Sequence, residues 1–217
     1  MANPEQLEYL QDSADDWNIY RREHAITQPD LSEANLSAAE LPGADLSGAD
    51  LARADLRAID LTNSVSKLAK LYALPIVLST VNVKTRGNAP TIRQVAEVLA
   101  GIEDLDRTTI NAWEDEEFVT AVKATGRKKL IMTALWTEAC LSFPALDALR
   151  EGYEVYLVVD AVGGTSVEAH RAALERLVQA DAQPTSVVQL LCELQRDWAR
   201  TETVQQVAEI LFAIEGR

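Results

Sequence analysis

The sequence predicts an α/β protein built on a parallel sheet covered by helices on both faces, with a short four-sided solenoid ahead of it. Three observations carry this. β-branched apolar runs alternate with helical patterns through the second two-thirds of the chain. Leucine returns at every fifth position from Leu31 to Leu61. No apolar stretch reaches the ~18 residues that a membrane helix needs. The 217 residues suffice for one sizeable domain and an appendage, and 47% hydrophobic with 25% charged residues is ordinary for a globular protein. A formal net charge of -14 argues against a non-specific binder of nucleic acid backbones, which needs clustered lysine and arginine. The start, MANPEQLEYLQDSADDW, is acidic and lacks the basic and apolar regions of a secretory signal, so a cytoplasmic location is expected. The two cysteines, Cys140 and Cys192, make no disulfide framework and read as separate thiols in a reducing compartment.

Residues 1–29 carry apolar positions Leu7, Leu10, Trp17, Ile19 and Tyr20, spaced for a short amphipathic helix or two. Residues 30–62 hold the leucine series Leu31, Leu36, Leu41, Leu46, Leu51, Leu56 and Leu61. Alanine stands two positions ahead from Ala34 to Ala54, and Ile59 replaces it in the last repeat. A period of five fits neither helix nor strand but suits a solenoid with one pentapeptide per side, leucine inward and alanine beside it. An alanine-rich amphipathic helix is the other reading, and the strict period favours the solenoid. These registers resemble the pentapeptide-repeat family, which implies a right-handed quadrilateral β-helix. Seven repeats fall short of two coils, so such a segment needs another surface to lean on. The acidic row Asp45, Asp50, Asp55 and Asp60 reads as a solvated face.

From residue 63 the patterns alternate. NSVSKLAKLYA reads as a helix and LPIVLSTVNV as a buried strand. TIRQVAEVLAGI is helical, FVTAVKATG is a helix closed by Gly126, and KKLIMTAL is the next strand. SFPALDALREG is a helix stopped by Gly152, and YEVYLVVDAV is a strand. SVEAHRAALERLVQADA is a helix, and PTSVVQLLCELQRDW holds a short strand and a helix. In such sheets chemistry collects at the carboxyl ends of the strands, here after Val83, Leu135 and Asp160.

Cys140 follows one of these strand ends at the start of a helix, where free amide N–H groups favour a thiolate and a developing oxyanion. By itself a cysteine there is weak evidence of chemistry, since cysteine is often simply buried filler. The run from TINAWEDEEF through LWTEACLSFPALDALREG to AALERLVQADAQ, with its Thr-Glu-x-Cys element, resembles the isochorismatase-like cysteine hydrolases, a superfamily that includes nicotinamidases. The resemblance covers about Asn63 to Trp198, within a domain taken as 63–217. It implies a three-layer α/β/α fold and a small amide or related carbonyl substrate attacked by Cys140 to form a thioester. It further implies an oxyanion hole from the Ala139 and Cys140 N–H groups, a cis bond at Trp136–Thr137, and no cofactor.

Two partners of the nucleophile follow from the same resemblance. The basic one falls in EDLDRTTINAW, with Arg107 the best match and Asp106 in that slot under a gapless alignment. Asn111 and Trp113 stand where they could line the pocket, or simply pack. The acidic partner belongs at the end of a first strand that this chain lacks, because the repeats occupy its place. Asp60 in RAIDLTNS is the nearest surrogate, although solenoid membership also accounts for it. The metal site of some relatives has no matching Asp/His set, so no metal is expected. His170 reads as a helix-surface or packing residue and Cys192 as buried filler. Gly163 and Gly164 suit a rim loop with positive φ or close backbone approach. The terminal stripe Val204, Val207, Ile210, Leu211 and Ile214 needs a partner, either this domain or a second subunit. The resemblance implies a homo-oligomer. A non-catalytic repeat–hydrolase fusion acting as an interaction module is the competing reading.

Overall fold

A computed structural model describes residues 2–12, 14–31, 57–85 and 87–215 of the chain. The chain divides into two compact units, residues 1–59 and 60–217.

In the first unit, α1 (Pro4–Asp12) and α2 (Ala14–Glu23) form the pair of amphipathic helices that the apolar spacing predicts. Leu10, Trp17 and Leu31 are fully buried, and the Tyr9 and Tyr20 rings stack at 4.1 Å. The Arg21 guanidinium donates to the Ile26 carbonyl at 3.2 and 3.1 Å, closing the turn that leaves α2. The repeat positions from Leu36 to Leu56, and the β-helix expected of them, lie outside the described residues. The last repeat is different. Residues from Arg57 onward belong to helix α3 (Arg57–Leu71), so Asp60 and Leu61 sit on a helix and not in a solenoid. The helix wins there because Leu61, Val65 and Leu68 fall at helical spacing and have an apolar surface to cover.

Among the described residues, the second unit holds five parallel strands in two sheets. β1 (Leu78–Val81) pairs with β2 (Asp104–Arg107), with Leu78 opposite Asp104. β3 (Lys129–Met132), β4 (Glu154–Val158) and β5 (Gln183–Thr185) form the other sheet in that order. The absence of a first, central strand predicts unpaired edges on its two neighbours. Among the described residues no strand joins the two pieces, and β1 and β3 each pair on one side only. β2 is the strand that the apolar pattern misses. Its sequence, DLDR, is charged, and only Arg107 at its end is fully buried.

Helices α4 (Arg93–Val98), α5 (Glu116–Ala124), α6 (Ser142–Arg150), α7 (Val167–Gln179), α8 (Val187–Gln195) and α9 (Val204–Glu215) follow the predicted order. Gly126 and Gly152 end α5 and α6 with φ of 67° and 81°, the left-handed stop that glycine takes without a Cβ clash.

Alternation along β4 divides the core. Val155 and Leu157 enter one cluster with Trp113, Leu141, Ala145 and Leu177. Val158 enters a second cluster with α3, α8 and α9, where Leu68, Leu191 and Val207 are fully buried. The terminal stripe of α9 therefore packs within its own domain. Burying a leucine or valine in either cluster is worth roughly 1.5–3 kcal/mol. Gln195 is a buried polar hub between these helices, accepting from Tyr72 Oη at 2.5 Å and Thr203 Oγ1 at 2.6 Å. Among the described residues no helix is long and apolar enough to cross a membrane.

Candidate active site

β3 ends at Met132, and the chain runs through Leu135 and Trp136 into a π-helical turn over Thr137–Leu141, continuous with α6. Cys140 lies in this turn and is partly exposed. The turn is held from below. Thr137, Leu141 and Ser142 are buried, and Ser142 Oγ donates to the Thr137 carbonyl at 2.6 Å. The Trp136 carbonyl accepts from the Ala139 and Leu141 N–H groups, each at 3.2 Å. One of the two expected oxyanion donors, Ala139, is thus engaged within the turn.

The cis bond stands at Leu135–Trp136, one residue before the Trp136–Thr137 position that the resemblance implies. Leu135 bridges Gly163, and the Thr137 N–H donates to the Gly163 carbonyl at 2.8 Å, so both residues flanking Trp136 are tied to one partner.

The loop after β4 is the other wall. Glu138 Oε1 accepts from the Thr165 N–H at 2.9 Å and from Thr165 Oγ1 at 2.5 Å. Thr137 Oγ1 pairs with His170 Nδ1 at 2.9 Å, so His170 faces the nucleophile's turn. Burial pushes the Glu138 carboxyl upward, but the two Thr165 bonds and the His170 charge carry it below the usual glutamate range. Gly164 serves by close approach and not by positive φ. A Cβ on Gly164 would lie 2.7 Å from Glu138 Oε2 and 3.0 Å from His170 Cβ.

The end of β2 is organised differently. Arg107 is buried; its Nε donates to Ser79 Oγ at 3.2 Å, and its Nη1 donates to the Thr109 carbonyl and, at 3.0 Å, to the Ile110 carbonyl. Its neighbour Asp106 accepts from the Lys84 N–H at 2.8 Å, the Val83 N–H at 3.0 Å and Thr80 Oγ1 at 2.9 Å. The Lys84 N–H bond, with that of Val83 and the Thr80 hydroxyl, holds this carboxyl below its ordinary range.

Asn111 and Trp113 bond to α6 and its carboxyl-terminal cap. Asn111 Oδ1 caps the short 3₁₀ turn Ala112–Glu114 at the Trp113 N–H, and its Nδ2 donates to Asp147 Oδ2 at 2.7 Å. Trp113 Nε1 donates to Glu151 Oε1 at 2.9 Å, and its ring packs edge-on to Tyr153 at 5.4 Å. Buried side chains with polar tips need such partners, and α6 supplies them. Cys192, expected as filler, is exposed on α8. Its neighbours Leu190 and Leu191 take the core-facing positions.

The structure thus brings together Ala139, Cys140, Thr137, Glu138, Gly163, Gly164, Thr165 and His170. It leaves Arg107 with the β2 loop and Asn111 and Trp113 with α6. Sequence reasoning missed Glu138, Thr165 and His170 because their partnership joins two separate motifs, TEAC and GGTS.

An isochorismatase domain matches residues 47–189, a span that begins inside the repeat-like segment. The probable hydrolase YcaC of Escherichia coli is 40% identical over 136 residues, covering 62% of this chain and 65% of that protein. The chain therefore matches just under two thirds of that relative's length. Among solved structures, YcaC from Pseudomonas aeruginosa with hexane-2,5-diol and covalent acrylamide superposes with a TM-score of 0.64 at 31% identity. That match covers 73% of this chain and 83% of that one. E. coli YcaC, solved as an octameric hydrolase of unknown specificity, gives 0.64 at 32% identity, covering 74% and 83%. Because the isochorismatase match spans well over half of the chain, the chain belongs to the isochorismatase family.

Proposed function

We propose that this chain is a cysteine hydrolase of a small amide or related carbonyl substrate, with Cys140 as nucleophile. The observation that carries the reading is the partly exposed Cys140 in a turn anchored at the end of β3, beside the loop that follows β4. In the proposed reaction the Cys140 thiolate attacks the carbonyl carbon, and the Cys140 N–H, with that of Ala139 once released from Trp136, faces the oxyanion. Collapse expels the amine and leaves a thioester, which water hydrolyses. Asp60 is the proposed proton acceptor, taking the Cys140 thiol proton and returning it to the departing amine nitrogen. Arg107 enters as a cation that fixes the loop after β2; a guanidinium does not serve as acid or base. No cofactor or metal takes part in this scheme. The setting proposed is a reducing cytoplasm, and the partner is a second copy of the chain, as in the octameric E. coli relative.

A second reading, a hydrolase domain with impaired turnover acting as an interaction module, draws on the Arg107 bonds to Thr109, Ile110 and Ser79, which commit that side chain to structural partners. The two separate on experiment. Acrylamide, the electrophile found covalently bound in the Pseudomonas relative, should modify Cys140 before the more exposed Cys192, as read by peptide mass mapping. Hydrolysis of a panel of small amides should vanish in Cys140→Ser and fall at least a hundredfold in Asp60→Asn. Modification of Cys192 first would refute the nucleophile. Labelling of Cys140 without turnover would select the second reading.

A further inference from the structure

Glu138 has no part in the scheme above, yet its carboxylate is the most committed polar group beside the nucleophile. One oxygen takes both donors of Thr165, at 2.9 and 2.5 Å. The other is buried, has no hydrogen-bond partner among the described residues, and lies against Gly164 and His170. A carboxylate oxygen left without a donor is costly, so the group must be held there by what its other oxygen does. What that oxygen does is tie the nucleophile's turn to the loop after β4, two residues from Cys140. The Thr137 N–H to Gly163 carbonyl bond and the Thr137–His170 contact stitch the same two segments from the adjacent residue. Gly164 completes the arrangement, because any side chain there would drive the carboxylate away from Thr165.

We infer that Glu138 is a positioning and specificity-determining residue that clamps the Gly163–Thr165 loop onto the Cys140 turn and so restricts the site mouth to small substrates. The inference rests on Cys140 being the reactive thiol. Thr165 itself is exposed, so the clamp closes at the surface, where a bulky acyl or amine group would meet it.

The test uses the full chain carrying Cys192→Ala, so that Cys140 is the remaining thiol. Second-order rates of its modification are measured with acrylamide and with the bulkier N-phenylmaleimide, well below the unfolding midpoint. Glu138→Ala should raise the rate of the bulky probe relative to acrylamide by about tenfold, the scale of one charge-assisted hydrogen bond. Glu138→Gln, which keeps a neutral acceptor, should fall between. Thr165→Val should shift the ratio the same way, and combining it with Glu138→Ala should add nothing further. Thr165→Ser, which keeps both donors, should hold the starting ratio. A residue that only stabilised the fold would lower the unfolding midpoint and leave the ratio alone. An unchanged ratio in Glu138→Ala, or in Thr165→Val should the former not fold, overturns the clamp while leaving the nucleophile standing. A Cys140 inert to both probes overturns the nucleophile and the clamp with it.

Discussion

The ends of β2 and β3 use similar polar residues for opposite purposes. At β2, Arg107 and Asp106 turn their side chains onto nearby carbonyls, hydroxyls and N–H groups, and Arg107 bonds to Thr109 and Ile110 in its own loop and to Ser79 on the neighbouring strand. At β3, Thr137 and Glu138 reach across to the loop after β4 and to α7, leaving Cys140 partly exposed between anchored neighbours. A charged residue that satisfies its own loop builds structure. A set that braces two strand ends against each other builds a place where something can bind.

Substitutions can break that contrast. The largest effect is expected from Leu141→Ala, which removes a fully buried side chain under the Cys140 turn. It should cost about 2–5 kcal/mol in urea unfolding and slow acrylamide labelling of Cys140. Arg107→Met should cost about 1–3 kcal/mol by orphaning the Thr109 and Ile110 carbonyls. If its role is confined to β2, Cys140 labelling in the folded protein should stay within about twofold; a larger fall would join the two ends electrostatically.

Acid should separate them further. Asp106 and Glu138 both have folded pKa values below their unfolded ones. Each therefore stabilises the fold above the ordinary carboxylate range, and that contribution disappears as pH falls through the lowered folded value. Asp106→Asn should flatten the acid limb of the stability curve with no change in probe selectivity, whereas acidification of the parent should relax selectivity as Glu138 protonates. The smallest effect is expected at the exposed Arg93–Glu97 pair on α4. Arg93→Ala should leave the unfolding midpoint within error, measured in the same urea series.

Much of this was legible in the chain itself. The apolar runs at β1, β3 and β4 and the glycine stops at Gly126 and Gly152 report their own conformations, because burial and backbone sterics act locally. Cys140 was legible as a thiol at a strand–helix junction. β2 was not, since DLDR carries no apolar signal and becomes a strand only through its register with LSTV. The last repeat misled, because Leu61 satisfies a period of five and a helical face equally well, and contact with α8 and α9 selects the helix.

The sequence by itself determined a parallel α/β unit, its helix order and the position of the thiol, all of which follow from short-range periodicity and backbone chemistry. Tertiary structure alone decided which polar residues meet. Glu138 and Thr165 are far apart along the chain, as are Thr137 and His170, and a hydrogen bond forms only where the fold brings donor and acceptor within about 3 Å. The same rule, acting at β2, gave Arg107 to its own loop.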